Sequence, residues 1–176
     1  MSGHNKWSKI KNKKAVTDAQ KAKSFTKLVR FITVESKKSK GDINAPGLRA
    51  AIEKAKEGNL PSDNIDRAIK KGLGGESGEM IEITYEAYGP GGCALIIESL
   101  TDNRNKAAQE IKHVLSENGC ELAGQGSASW AFTKTHEGWT ANMKVQVSED
   151  DGAKLDILIE QLEENDEVQE VYTNAE

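Results

Sequence analysis

The segment KGLGGESGEMIEITYEAY, at residues 71–88, divides the chain into two parts that differ in hydrophobic period. Its glycine-rich part, residues 73–78, has the composition of a flexible linker. Before it, apolar residues recur at helical spacing, and after it they alternate with polar ones, as in a half-buried strand. We therefore predict a helical domain over residues 1–72, a linker over 73–78 and an α/β domain over 79–176.

The charge balance changes sign at the same place. Residues 1–71 contain 18 Lys and Arg against 7 Asp and Glu, whereas residues 72–176 contain 6 against 21, so the net charge of −4 conceals a basic and an acidic half. A concentrated excess of lysine and arginine is typical of a surface that binds a phosphate backbone. The acidic half would be repelled by the same partner, so contact with a polyanion is predicted for the basic half.

The composition of the whole chain excludes several classes of protein. Its 176 residues, 36% hydrophobic and 30% charged, fit two compact domains better than one large core. No apolar run approaches the roughly 20 residues of a membrane helix, and the start MSGHNKWSKI has no apolar segment of a secretory signal. Cys93 and Cys120 lack metal-ligand spacing, so we predict reduced core thiols in a cytoplasmic protein.

Three helices are predicted in the basic half. The first follows a capping signature at residues 17–20, the second covers about residues 46–57, and the third is capped by Ser62 and ends at Gly72. Each of the last two is too short to be stable alone, so the three are expected to share one small core. On the first helix an apolar arc of the helical wheel is predicted to pack inward: Phe25, Leu28, Val29 and Ile32.

The predicted nucleic-acid-binding surface combines a basic arm, residues 1–16, with the charged side of the first helix. Lysine-dominated contact favours recognition of the phosphate backbone, because an ammonium group lacks the bidentate fork with which arginine reads bases. Trp7 either stacks on a base or anchors the arm, and the alternative for the whole set is a solvated charged surface. The residues predicted to contact nucleic acid are Lys6, Trp7, Lys9, Lys11, Lys13, Lys14, Lys23, Lys27, Arg30, Lys37 and Lys38.

The acidic half predicts a ferredoxin-like domain, so the fold class of the chain is α+β. From Cys93 onward the order is strand, helix, strand, strand, helix, strand, which is the split βαβ arrangement. The strand that begins at Ile81 is predicted as an added N-terminal hairpin strand. The two consecutive strands in the middle of the domain are placed at residues 127–134 and 140–147.

A second candidate site lies at the start of the first helix of the acidic half. Asn103, Arg104 and Asn105 follow Asp102, which is predicted to cap that helix, and free N–H groups at a helix start can bind an anion or a partner. The alternative is structural, with capping and pairing to a carboxylate. No catalytic set, metal site or cofactor motif is found, so the sequence predicts neither an enzyme nor a bound cofactor.

Several motifs resemble the YebC/PmpR family and cover nearly the whole chain in order. The resemblance implies a cytoplasmic, non-enzymatic protein with a three-helix N-terminal domain joined to α/β domains. Bacterial members are described as DNA-binding transcriptional regulators, mitochondrial relatives as translational activators, and a ribosome-associated role has been proposed. The motifs include GHNKW at 3–7, NIDRAIKKG at 64–72, YEAYGPGG at 85–92, LTDNRN at 100–105 and DEVQ at 166–169.

The chain departs from the family pattern in one place. Members carry a further α/β domain inserted into the second one. Here Phe132 is followed within a few residues by WTANM at 139–143, which resembles the segment that resumes after the insertion. We therefore predict a short form without the inserted domain, in which residues 133–138 form a hairpin turn.

Together the residues and the resemblance predict a nucleic-acid-binding regulator of gene expression, of the DNA-binding transcriptional kind. A translation factor associated with ribosomes or ribosomal RNA is the first alternative. The second alternative is an adaptor that binds a protein partner through the acidic domain. No membrane partner is predicted.

Overall fold

The computed structural model describes residues 18–74, 80–135 and 138–176, with the side chains of the first helix from residue 24 onward. The chain forms two compact units, and the division falls between residues 80 and 81. The described part of the first unit is helical, and the second combines helices with sheet. The predicted α+β class, helices first and a sheet domain after them, is confirmed. The basic arm and most of the linker lie outside the described residues, so the predicted domain limits stay predictions.

The helical unit has one shared core, as the sequence predicts. Its helices are α1 (Asp18–Ser39), α2 (Pro46–Glu57) and α3 (Ser62–Leu73). All three contribute buried apolar side chains, and the half-buried Phe25 and Val29 pack against them. The buried members of this core are Leu28, Ile32, Leu48, Ala51, Ala55, Leu60, Ile65 and Ala68.

The start of α3 differs from the prediction. Ser62 is the first residue of the helix, and the cap position belongs to Pro61, which makes no side-chain capping bond. The carbonyl of Pro61 instead accepts the backbone N–H groups of Asn64 and Ile65. The first turn is therefore closed by the main chain, because proline just before a helix is already held in a compatible conformation.

Helices α1 and α3 touch along a line of small residues that includes Gly72. Ser36 Oγ donates a hydrogen bond to the carbonyl of Ile69 at 2.7 Å. A Cβ atom on Gly72 would lie 2.5 Å from the carbonyl oxygen of Thr33. Gly72 therefore lies inside α3, where it permits close contact, and does not end the helix as predicted.

The described residues of the α/β unit form six strands and two α-helices. A one-turn 3-10 helix, Pro90–Gly92, joins the first two strands, and another, Ser129–Ala131, precedes the fourth. The strands and helices are β1 (Ile81–Tyr88), β2 (Ala94–Thr101), α4 (Arg104–Glu117), β3 (Leu122–Ala123), β4 (Phe132–Thr135), β5 (Gly138–Ala141), α5 (Glu149–Glu164) and β6 (Val168–Thr173).

The main sheet has the order β3-β1-β2-β6 and every neighbouring pair is antiparallel. A split βαβ unit is present, because β2 and β3 are joined by α4 and one strand lies between them. That strand is β1, which the sequence predicts as an addition outside the ferredoxin-like set. In the ferredoxin-like strand order, the inner position between β2 and β3 is therefore occupied by β1, the N-terminal strand of the unit.

The strands predicted at 127–134 and 140–147 are shorter and form a separate two-stranded sheet. β4 pairs with β5 from Phe132 opposite Ala141 to Thr135 opposite Gly138. Residues Ser129–Ala131, which the sequence assigns to a strand, form the 3-10 turn before Phe132. β4 and β5 pair as an antiparallel hairpin on either side of residues 136–137, but residues 133–135 and 138, which the sequence assigns to the turn, belong to the strands.

The main sheet is covered on both faces. Helices α4 and α5 cover one face, where Ile111, Leu115 and Leu158 are buried against Ile97 and Val171 of the strands. The other face, on which Ile96 lies, is partly covered by the segment before β4 and by the β4–β5 hairpin. Cys93 and Cys120 are free thiols buried in the core beneath the helices, as predicted.

Candidate nucleic-acid interface

The C-terminal turn of α1 presents two of the predicted contact residues to solvent. Lys37 and Lys38 are exposed, and Lys38 Nζ lies 3.1 Å from Glu35 Oε1. Lysines in a last turn also interact favourably with the negative end of the helix dipole. The C-terminal end of α1 therefore exposes positive charge to solvent, and Glu35 neutralises part of that charge within the helix.

The middle of the predicted basic side is less open than the helical wheel indicates. Lys27 and Arg30 are half-buried. Val34 lies one turn beyond Arg30 on the same side and is only 8% exposed. Because Val34 is buried on this side of α1, the basic side chains next to it are partly buried as well. The positive charge that is exposed to solvent is therefore concentrated toward the C-terminal end of the helix.

The remaining predicted contact residues belong to the arm and to the start of α1. The side chain of Lys23 lies outside the described residues, as does the arm. The arm residues concerned are Lys6, Trp7, Lys9, Lys11, Lys13 and Lys14.

Two further lysines, outside the predicted contact set, lie on the surface of the helical unit. Lys70 and Lys71 are exposed in the last turn of α3. This turn lies beside the end of α1, because a Cβ on Gly41 would be 3.0 Å from Leu73 Cδ1. In the sequence these residues are visible as an adjacent Lys-Lys pair, which is the pattern that could have identified them as contact residues. The contact between Gly41 and Leu73 places this pair near the C-terminal end of α1.

Aromatic and arginine side chains of the helical unit are largely occupied with local contacts. Phe31 is half-buried against the core, and Lys54 Nζ lies 6.0 Å from the centre of its ring. Arg49 Nε is 3.5 Å from Glu53 Oε1. Arg67 donates to the carbonyl of Asp63 and to the side chain of the neighbouring Asn64. Arg49 and Arg67 remain exposed, and lysine is the dominant exposed cation of the described helical unit by number alone.

The described helical segment is basic even without the arm. Residues 24–74 contain 11 Lys and Arg against 6 Asp and Glu. Positive charge on one compact unit is the electrostatic property that attracts a polyanion. Within the described residues no group of three His, Cys, Asp or Glu is arranged to hold a metal ion, and no helix there is long and apolar enough to span a membrane.

The structural alternative holds for Asn103. Its side-chain oxygen accepts the backbone N–H of Lys106 at 3.1 Å, so Asn103, and not the predicted Asp102, is the cap of α4. The carboxylate of Glu167 pairs with Lys106 at 3.3 Å. Arg104 and Asn105 are exposed in the first turn, which leaves their role in anion or partner contact a prediction.

Arg104 has an electrostatic influence on the sheet beside it. Burial raises the pKa of Tyr85, and the positive charge of Arg104 opposes that rise. The LTDNRN motif runs from the end of β2 into the start of α4.

A buried carboxylate organises the loop between β3 and β4, and the local sequence pattern does not indicate it. Glu86 of β1 accepts backbone hydrogen bonds from Gly126 at 2.7 Å, Ala128 at 2.9 Å and Ser129 at 2.6 Å. Burial alone would raise the pKa of Glu86, but these donors lower it below its usual value. The loop is therefore held in one conformation by a charge inside the unit.

Two family models together cover almost the whole chain. One, described as the TACO1/YebC protein N-terminal domain, matches residues 5–75. The other, described as the TACO1/YebC second and third domain, matches residues 80–137 and 134–175. The chain belongs to the TACO1/YebC family.

Curated relatives in the TACO1/YebC family have the name "Probable transcriptional regulatory protein". The protein of Petrotoga mobilis is 46% identical over the full length of this chain and 71% of its own. That of Chlorobaculum parvum is 48% identical over 95% of this chain and 67% of its own. That of Fervidobacterium nodosum is 53% identical over 76% of this chain, and the match spans 54% of its own length.

A solved structure shares the fold of this TACO1/YebC chain. The crystal structure of the conserved hypothetical protein Aq1575 from Aquifex aeolicus superimposes with a TM-score of 0.78 at 30% sequence identity. The match covers 90% of this chain and 91% of that one.

The two matched segments of the second TACO1/YebC model meet at residues 134–137. This is the position at which the sequence predicts the loss of an inserted domain. Only two residues separate the paired ends of β4 and β5 there. The greater length of the curated relatives agrees with this prediction.

Proposed function

We propose that this chain is a non-enzymatic, cytoplasmic regulator of gene expression that binds nucleic acid through its basic helical unit, as a DNA-binding transcriptional regulator. The observation that carries the proposal is the excess of positive charge on this unit, which residues 24–74 retain without the arm. The names of the curated relatives support a regulatory role. The acidic unit would be turned away from the polyanion by repulsion.

The proposed contact surface has two parts. The first is the predicted arm and α1 set, from Lys6 to Lys38. The second is the pair Lys70 and Lys71, whose helix end lies beside the end of α1. Ammonium groups on separate helix ends suit a phosphate backbone, because they act as point charges that do not require a planar partner.

Ribosomal RNA is the first alternative partner, and the small number of arginines in the helical unit favours it. Lysines outnumber arginines among the exposed cations of the described helical unit, where Arg49 and Arg67 are the exposed arginines. Bidentate recognition of guanine in a major groove would need such guanidinium groups for the bases. A lysine surface is suited to structured RNA, which proteins recognise largely by shape and backbone. Under this alternative the chain is a translation factor associated with the ribosome.

The second alternative is an adaptor whose acidic unit binds a protein partner. It rests on the opposite charge of that unit, whose described residues hold 18 Asp and Glu against 6 Lys and Arg. Under this alternative the basic unit would contribute only weak association.

The test compares three ligands with the full chain at several salt concentrations. They are promoter DNA, DNA of scrambled sequence and purified ribosomes. Selective binding of promoter DNA at physiological salt is expected under the proposal and contradicts the ribosome alternative. Equally weak binding of both DNAs, together with tight co-sedimentation with ribosomes, is expected under the ribosome alternative and contradicts the proposal of a DNA-binding regulator. Absence of binding to all three removes the proposal and leaves the adaptor.

A further inference from the structure

Two large apolar side chains are exposed at one end of the helical unit. Ile43, in the turn after α1, is 57% exposed, and Leu73, the last residue of α3, is 55% exposed. Among the described residues of this unit, they are the large hydrophobic side chains that remain open to solvent. We name them the apolar spot. The core of the unit does not include them.

The turn between α1 and α2 places both members of the apolar spot at the same end of the unit. Leu73 lies against Gly41, where an added Cβ would be 3.0 Å from Leu73 Cδ1. Ile43 follows Gly41 by two residues, so their Cα atoms are at most about 7.6 Å apart. The turn is closed on α1, since the N–H of Gly41 donates to the carbonyl of Ser36 at 2.9 Å.

Exposed lysines lie beside the apolar spot on two elements. Lys40 directly precedes Gly41, and Lys70 is three residues before Leu73, a helical spacing at which side chains are neighbours on the surface. Residues 36–45 and 70–74 together contain five lysines against one acidic residue. These lysines, all exposed, are Lys37, Lys38, Lys40, Lys70 and Lys71.

The acidic side chains at this end of the unit already have local partners. Asp42 Oδ1 accepts the backbone N–H of Asn44 at 3.0 Å. Glu35 pairs with Lys38 at 3.1 Å. Within residues 18–74, no carboxylate pairs with the lysine of the turn or with the two lysines of α3. Their positive charge is therefore available to a ligand.

A ligand that matches this surface must combine negative charge with an apolar part. A fully paired duplex presents phosphates but keeps the faces of its bases stacked, so it matches the lysines only. Unpaired bases expose their faces between two runs of phosphates, and a nucleic acid that contains them provides both properties. Isoleucine and leucine are among the side chains that contact unstacked bases when proteins deform DNA.

The position of the apolar spot favours nucleic acid over an acidic peptide. Lys37 and Lys38 belong to the predicted contact set, and Lys70 and Lys71 form the second part of the proposed contact surface. The apolar spot lies next to both parts. A nucleic acid held by these lysines would therefore reach it without a second binding surface.

We propose that Ile43 and Leu73 contact unpaired bases, at a bulge or another interruption of a duplex, while the neighbouring lysines bind the phosphates on either side. This inference rests on the proposed nucleic-acid function and specifies its ligand class. It gives the surface a preference that the lysines do not supply, because contacts to phosphates carry no information about the bases.

The test compares a short, fully paired duplex with the same duplex carrying three unpaired nucleotides at its centre, each made as DNA and as RNA. Fluorescence anisotropy with the full chain measures the affinities at several salt concentrations. The bulged form is expected to bind about three- to tenfold more tightly in at least one of the two backbones. Because burial of apolar surface releases no counterions, this ratio should persist as salt rises.

The decisive variant is Ile43→Ser with Leu73→Ser. It is expected to abolish the preference for the bulge and to leave the affinity for the paired duplex within about twofold of wild type. The matched control is Ile157→Ser, which changes an isoleucine of α5 that is 52% exposed and should alter neither affinity. Far-UV circular dichroism checks folding. Ile43→Ser alone, in a turn outside the helices, should lose part of the preference and replaces the double variant if that variant unfolds.

The outcomes separate this inference from the proposed function. Equal binding of the bulged and paired duplexes by wild type overturns the inference and leaves the proposed function standing, as does an unchanged preference in the folded double variant. Failure to bind any of the four nucleic acids overturns both. A glutamate-rich peptide should not compete with the bulged duplex. If it competes in wild type and not in the double variant, the apolar spot binds a protein and the inference is wrong.

Discussion

Gly72 lies against the backbone of Thr33, at a distance that leaves no space for a Cβ atom between α3 and α1. The clash would be with a carbonyl oxygen, at 2.5 Å, and with Ser36 Cβ, at 2.7 Å. A backbone oxygen inside a helix cannot move aside as the end of a long side chain can. The distance between these two helices therefore depends on this one residue.

Gly72→Ala is expected to destabilise the helical unit by about 1–3 kcal/mol, despite the better helix propensity of alanine, because it forces the helices apart. Urea unfolding followed by far-UV circular dichroism measures the change. The matched control is Gly74→Ala, where the nearest atoms to a Cβ are 3.8 Å away and little change is expected. Equal stability of wild type and Gly72→Ala would contradict the close packing described.

Glu86→Gln is expected to destabilise the α/β unit by about 1–3 kcal/mol, since three backbone donors lose a charged acceptor. The folded-state pKa of Glu86 lies below its usual value. Its contribution is therefore complete above the unfolded-state pKa of about 4.3 and is lost as pH falls through the lower, folded-state value. Unfolding measured between pH 7 and pH 3 should show a smaller acid loss in Glu86→Gln. Parallel pH profiles for variant and wild type would contradict the assignment.

Removing exposed lysines from the helix ends is expected to weaken nucleic-acid binding in a salt-dependent way. The variant is Lys37→Gln with Lys70→Gln and Lys71→Gln. For every lysine that binds a phosphate, its removal should reduce the slope of log affinity against log salt by about 0.7–0.9. Fluorescence anisotropy with labelled duplex DNA and structured RNA measures both slopes. The control, Lys112→Gln with Lys154→Gln, changes exposed lysines of the α/β unit, and an equally large decrease in affinity there would sink the assigned surface.

Asn103→Ala is expected to lower stability by about 0.5–2 kcal/mol through loss of the α4 cap. Asn105→Ala, in the exposed first turn, should leave stability within about 0.5 kcal/mol of wild type. Chemical unfolding of both variants distinguishes a capping role from a binding role for the LTDNRN motif. If Asn103→Ala were as stable as Asn105→Ala, the cap bond would contribute nothing.

Local patterns in the sequence were enough for most elements and for the core. The alternation from Ile81 predicted β1. The apolar arc of α1 was correct for Leu28 and Ile32. These features depend on residues within a few positions of one another, where spacing determines which side chains share a face.

What the sequence could not predict depends on contacts between distant segments. The position of β1 between β2 and β3 depends on which strands pair with each other. The alternating pattern of a strand does not show which strands will be its neighbours in the sheet. Glu86 reads as an outward polar residue of an alternating strand, yet its partners lie about forty positions away. The burial of Val34 among basic residues has the same origin, since a helical wheel shows only the helix itself.

The β4–β5 hairpin brings the two strand ends on either side of residues 136–137 together. Thr135 and Gly138 are paired partners, so the chain leaves and re-enters the unit at almost one location. Whatever joins them, two residues or an entire folded module, need not disturb the register of either strand. The same geometry makes this turn a suitable place to graft a fluorescent reporter or an affinity module, with the main sheet and the helical unit left as they are.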